Sequence, residues 1–92
     1  MLNLDFKGRR LKKEILSLLS EAANLPQADR DNVIMFLEAG EWGLAFDSLC
    51  HQIYENDITI TEKFYERAAS IASSMQIENS EWAFLRKLVR RC

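Results

Sequence analysis

The sequence predicts an all-α fold, a compact single-domain bundle of about five short helices spanning residues 1–92. Three observations carry that expectation. Apolar residues recur at three- and four-residue spacing in one segment after another, whereas no run of four to eight residues alternates apolar and polar as a half-buried strand does. The glycines and the single proline separate these periodic segments. With 48% apolar and 28% charged residues, the chain has the composition of a globular domain and enough material for one core.

In the first segment Leu11, Ile15, Leu18, Leu19 and Ala22 recur at i, i+4, i+7, i+8 and i+11, one helical stripe, which places a helix over residues 9–23. Pro26 cannot continue that helix but suits the first turn of the next, whose apolar face is Val33, Ile34, Phe36 and Leu37. Gly40 follows as the residue past its C-terminus. Trp42, Ala45, Phe46, Leu49 and Ile53 share a face of the third helix, and the short Gly40-Glu41 connection folds helices two and three into a hairpin.

Thr59 stands three residues before Glu62, the spacing of a capping box, so the fourth helix is expected to start near Ile60. Its inward stripe is Phe64, Ala68, Ile71, Ala72 and Met75, and the small residues Ala68, Ala69 and Ala72 admit a close neighbour. Asn79 or Ser80 caps a fifth helix with Trp82, Leu85, Leu88 and Val89 inward.

No apolar run approaches the roughly 18 residues that cross a bilayer, and the N-terminal MLNLDFKGRR reverses the order of charge and apolar stretch found in a secretory signal. A cytoplasmic protein with no membrane partner is expected. Cys50 and Cys92 are expected to be free thiols, because one sits in a helical apolar pattern and the other ends the sequence.

The chain has one histidine, His51, and no Cys-x-x-Cys, His-x-x-x-His, phosphate-binding glycine loop or Gly-x-Ser-x-Gly turn. Adjacent Cys50 and His51 point about 100° apart on a helix and do not form a nucleophile–base pair. A buried Cys50 beside a surface His51 is expected. No catalytic residue, metal ligand or cofactor site follows, and the chain is read as a non-enzyme. Trp42, Phe46, Phe64, Trp82 and Phe84 are read as core aromatics.

Charge is unevenly distributed. From Glu21 to Glu62 nine acidic residues face the single cation Arg30, a formal charge of −8, while residues 1–20 and 63–92 each carry +3. Glu38 and Glu41 flank the C-terminal end of the second helix, and Glu55 and Asp57 that of the third, where the helix dipole disfavours acids by roughly 0.3–1 kcal/mol each. Stability alone selects cations there. The third helix adds a polar stripe of Asp47, His51, Tyr54 and Glu55 opposite Phe46, Leu49 and Ile53. A tyrosine among carboxylates suits a surface that docks a basic protein. The candidate contact residues are therefore Glu38, Glu41, Asp47, His51, Tyr54, Glu55, Asp57 and Glu62.

The basic ends support a second function, that of a small helical RNA- or DNA-binding or regulatory adaptor protein. Arg86, Lys87, Arg90 and Arg91 lie where a helix dipole favours cations, whereas Arg9, Arg10, Lys12 and Lys13 begin a helix, where it does not. With a pI near 5.4 and no helix-turn-helix pattern, nucleic-acid binding ranks below protein binding.

Residues 36–61 resemble the core of the MafI-like immunity proteins. The pattern is carried by Glu38, Gly40, Glu41, Gly43, Leu44, Ala45, Leu49, Cys50, Tyr54, Glu55 and Asp57, with Trp42 where tyrosine is expected; Gln76 to Cys92 has no counterpart. The resemblance implies a bacterial cytoplasmic protein that binds and neutralises one cognate toxin C-terminal domain, often a nuclease, of a MafB or contact-dependent inhibition system. Within the pattern, Gly40 and Gly43 are expected to shape the corner, and Leu44, Ala45, Leu49 and Cys50 to pack.

Overall fold

Four helices, α1 (Leu2–Glu21), α2 (Gln27–Glu38), α3 (Trp42–Glu55) and α4 (Glu62–Ser74), precede two 3-10 segments, Asn79–Glu81 and Ala83–Leu88. The computed structural model describes residues 2–90, with side chains from Lys7 onward. The fold is all-α. Among the described residues the only β pairing is an isolated parallel bridge between Ile60 and Val89. Among the described residues no helix is long and apolar enough to cross a membrane.

Helix α1 starts well before residue 9 because Gly8 does not interrupt it. A β-carbon at Gly8 would stand 3.0 Å from Trp42 Cζ2, so this glycine is the recess into which the first residue of α3 packs. The helix ends at Glu21, two residues short of the expected position, and Arg30 of α2 donates to the Ala22 carbonyl at 2.9 Å.

Helices α2, α3 and α4 end alike. In each, the residue after the cap is left-handed: Gly40 (φ 76°), Asp57 (φ 53°) and Gln76 (φ 56°). The next N–H reaches back five residues, from Glu41 to Phe36 (2.9 Å), Ile58 to Ile53 (3.0 Å) and Ile77 to Ala72 (2.9 Å), closing Schellman motifs. The first of these is the corner predicted at Gly40, and it folds α2 and α3 into the hairpin that forms the most extensive helix–helix contact of the molecule. At the open end of the hairpin Asn56 Nδ2 donates to Asp29 Oδ2 at 3.3 Å.

Helix α3 is the central element, touching α1, α2 and the second 3-10 segment. Its Phe46, Leu49, Cys50 and Ile53 interlock with Ile15, Leu18, Val33, Leu37 and Leu85 in the fully buried core. Arg67 ties α4 to α1, pairing with Glu21 and donating to Ser17 Oγ at 2.6 Å.

Two expectations are corrected. Thr61, not Thr59, caps α4: its Oγ1 accepts from Phe64 N–H at 3.0 Å, so no capping box with Glu62 forms. The helix cannot begin at Ile60, because Ile60 N–H donates to Leu88 O (3.0 Å) and Ile60 O accepts from Arg90 N–H (2.8 Å), holding that residue extended. The fifth helix is 3-10 rather than α. Trp82, Leu85 and Leu88 are spaced by three, the 3-10 period, and only Trp82 and Leu85 are buried, Leu88 and Val89 being half-buried.

Candidate functional site

The core takes one face of α3, through Ala45, Phe46, Leu49, Cys50 and Ile53. Its opposite face carries Leu44, Asp47, His51, Tyr54 and Glu55, as the helical spacing predicted for the last four. Leu44 is 50% and Tyr54 41% exposed, large apolar surface on the outside of a small domain.

The C-terminal half of this face is reinforced from outside the helix. Phe84, carried by the second 3-10 segment, packs against His51 (ring centroids 5.3 Å apart) and edge-on against Tyr54 (5.2 Å, planes at 71°). The Nδ1 of His51 lies 2.9 Å from the Asp47 carbonyl oxygen and 3.3 Å from its Oδ1, which fixes the imidazole along the helix. In the N-terminal half, α3 and the chain after α4 enclose a groove of about 290 Å³ lined by Gly43, Leu44, Phe46, Asp47, Ile77 and Glu81.

The predicted contact residues do not form one patch. Glu38 and Glu41 are exposed at the α2–α3 corner, while Glu55 and Asp57 are exposed at the far end of α3, about 21 Å away at 1.5 Å per residue. Asp47, His51 and Tyr54 lie between them. Glu62 stands apart on α4, where its carboxylate accepts from Arg86 at 2.7 Å while the Arg86 guanidinium covers the Tyr65 ring at 4.1 Å. That hydrogen bond raises the Arg86 pKa above its ordinary value.

Charge separated along the sequence is partly recombined in space. Glu21 is matched by Arg67 and Glu62 by Arg86. The Gly8–Trp42 contact brings the basic second and third turns of α1 beside the corner that bears Glu38 and Glu41. Among the described residues Glu38, Glu41, Glu55 and Asp57 make no ion pair. Arg91 and Cys92 lie outside the described residues, and with them the expectation of a free C-terminal thiol.

Cys50 is 1% exposed, and burial first, then the nearby Asp47 charge, push its thiol far above the ordinary range. It is a packing residue beside a surface His51, as expected. Three other residues differ from expectation. Gly43 is the second residue of α3, with nothing within 4 Å of where its β-carbon would stand, so it does not shape the corner. Leu44 is half exposed rather than packed. Phe84 is half-buried and covers the outer face of α3 rather than filling the core.

The residues that sequence reasoning missed at this site are Gly43, Leu44, Ile77, Glu81 and Phe84. Leu44 precedes Asp47 by three and extends the predicted stripe by one turn, a signal that was present. The other wall comes from beyond α4 and has no local signature. Among the described residues no three His, Cys, Asp or Glu side chains gather as a metal ion would require. No protein-family model, curated protein or solved structure matches this chain.

Proposed function

We propose that this chain is an immunity protein that binds a cognate toxin domain in the cytoplasm and neutralises it without catalysis, by occluding a basic active site or substrate groove. The outer face of α3 carries the reading. There, exposed Leu44 and Tyr54 alternate with Asp47 and Glu55, the combination of apolar anchors and steering charge on which protein interfaces are built. A nuclease, which must present cations to its own substrate, supplies the complementary surface. A standard interface takes about 800 Å² from each partner, a modest share of the 6175 Å² this domain exposes.

The resemblance to MafI-like immunity proteins supports the same class of function, and two of its residues, Gly43 and Leu44, lie on the proposed face instead of in the core. Glu62, already paired with Arg86, contributes least of the acidic set; Asp47, Tyr54 and Glu55 contribute most.

The test is co-expression with a candidate toxin domain, taken first from the reading frames that neighbour this gene. The wild-type chain co-purifies with it and protects the cell, whereas Asp47→Arg combined with Glu55→Arg abolishes both. Removing Arg9, Arg10, Lys12 and Lys13 leaves binding intact; loss of function on that change, with RNA or DNA bound by the wild type, identifies the nucleic-acid alternative instead.

A further inference from the structure

The groove beside Asp47 exists because two chain features leave it open. Gly43 projects no side chain, and beyond its own helix backbone and chain neighbours nothing stands within 4 Å of where its β-carbon would be. The left-handed Gln76 ends α4 and turns the chain so that Ile77 and then Glu81 face α3. Buried Phe46 and half-buried Ile77 supply apolar lining, exposed Leu44 a third apolar side chain, and Asp47 and Glu81 add carboxylates from two different elements. No cation is among the lining residues.

This chemistry selects its occupant. Two carboxylates with no lysine or arginine among the residues that line the groove disfavour phosphates, nucleotides and other anions. A volume of about 290 Å³ falls just under the range of about 300–1,000 Å³ typical of small-molecule sites. One large apolar side chain with a lysine or arginine beside it meets both the lining and the charge.

We propose that this groove receives a single leucine- or phenylalanine-sized side chain from a loop of the partner, flanked by cations that settle on Asp47 and Glu81. This rests on the reading of a basic protein partner above and names its anchor. The groove thereby supplies specificity, because charge alone does not distinguish one basic surface from another.

The probe is a synthetic pentapeptide with phenylalanine between two pairs of lysines, titrated into the isotope-labelled chain and followed by amide chemical shifts at low salt. Saturating shifts are expected at Gly43, Asp47, Ile77 and Glu81. Affinity falls about tenfold or more, the worth of burying one such side chain, when serine replaces the peptide's phenylalanine. Gly43→Leu, which fills the groove from an open helical position, lowers it as much. Equal binding of the serine peptide, or undiminished binding by Gly43→Leu, overturns the groove while leaving charge-driven docking intact. Failure of both peptides to bind contradicts the groove and the basic-partner reading together.

Discussion

Phe84 lies edge-on to Tyr54, ring centroids 5.2 Å apart, and joins the C-terminal 3-10 segment to the exposed face of α3. Tyrosine on an exposed helix is ordinarily a mobile side chain. Here its ring is held from one side, so less rotamer entropy is lost when a partner covers it.

Phe84→Ala therefore costs twice. The half-buried ring and its two aromatic contacts are worth about 2 kcal/mol of stability, measurable by urea denaturation. Partner binding weakens as well, because Tyr54 and His51 lose their support. A variant with reduced stability and unchanged binding removes the Phe84–Tyr54 pair from the recognition surface.

Asp57 occupies a left-handed position and an unfavourable end of the helix dipole together. Asp57→Gly relieves both and is expected to raise stability by about 1 kcal/mol. Gln76→Gly, which relieves only the backbone, is expected to gain about 0.5 kcal/mol. If the Asp57 carboxylate touches the proposed toxin partner, the same variant binds it more weakly while melting higher; unchanged affinity takes Asp57 out of the proposed interface.

Two helical glycines respond oppositely to alanine. At Gly43 there is open space, so Gly43→Ala stabilises by about 0.5 kcal/mol through helix propensity alone. At Gly8 the new methyl meets the Trp42 ring at 3.0 Å, and overpacking of about 1–3 kcal/mol exceeds the propensity gain of about 1 kcal/mol. Paired thermal melts decide this; a stabilised Gly8→Ala contradicts the tight α1–α3 contact.

Burial keeps the Cys50 thiol neutral when folded, whereas the unfolded chain releases its proton from about pH 8.5 upward. Above that pH the unfolded state holds fewer protons than the native one, so stability falls as pH rises, with a limiting slope near 1.4 kcal/mol per pH unit from this group. Cys50→Ala removes that component of the slope, although the cavity lowers stability at every pH. Urea titrations of both proteins between neutral and alkaline pH measure the difference.

Most of the helical hairpin was legible because its signals are local: Gly40 terminates α2, and the Trp42–Ile53 stripe has the 3.6 period. The less local choices were not. Thr59 and Thr61 are both competent caps, and the Ile60–Val89 bridge, formed across almost thirty residues of sequence, selects the second. Trp82, Leu85 and Leu88 are compatible with an α-helix or a 3-10 helix until packing against α3 and α4 decides. The acidic content of the site was visible in the sequence, but its division was not, since Arg86 reaches Glu62 across 24 positions. Phe84 and Glu81 enter the site only through the tertiary fold.

The most direct measurement is the dissociation constant between this chain and the toxin domain that the co-expression test selects as its proposed partner, for wild type and for Asp47→Arg combined with Tyr54→Ala, with circular dichroism confirming that both fold. The account predicts tight binding by the wild type and a loss of about a hundredfold or more in the variant. Equal affinities, with equal protection of cells making the toxin, contradict it.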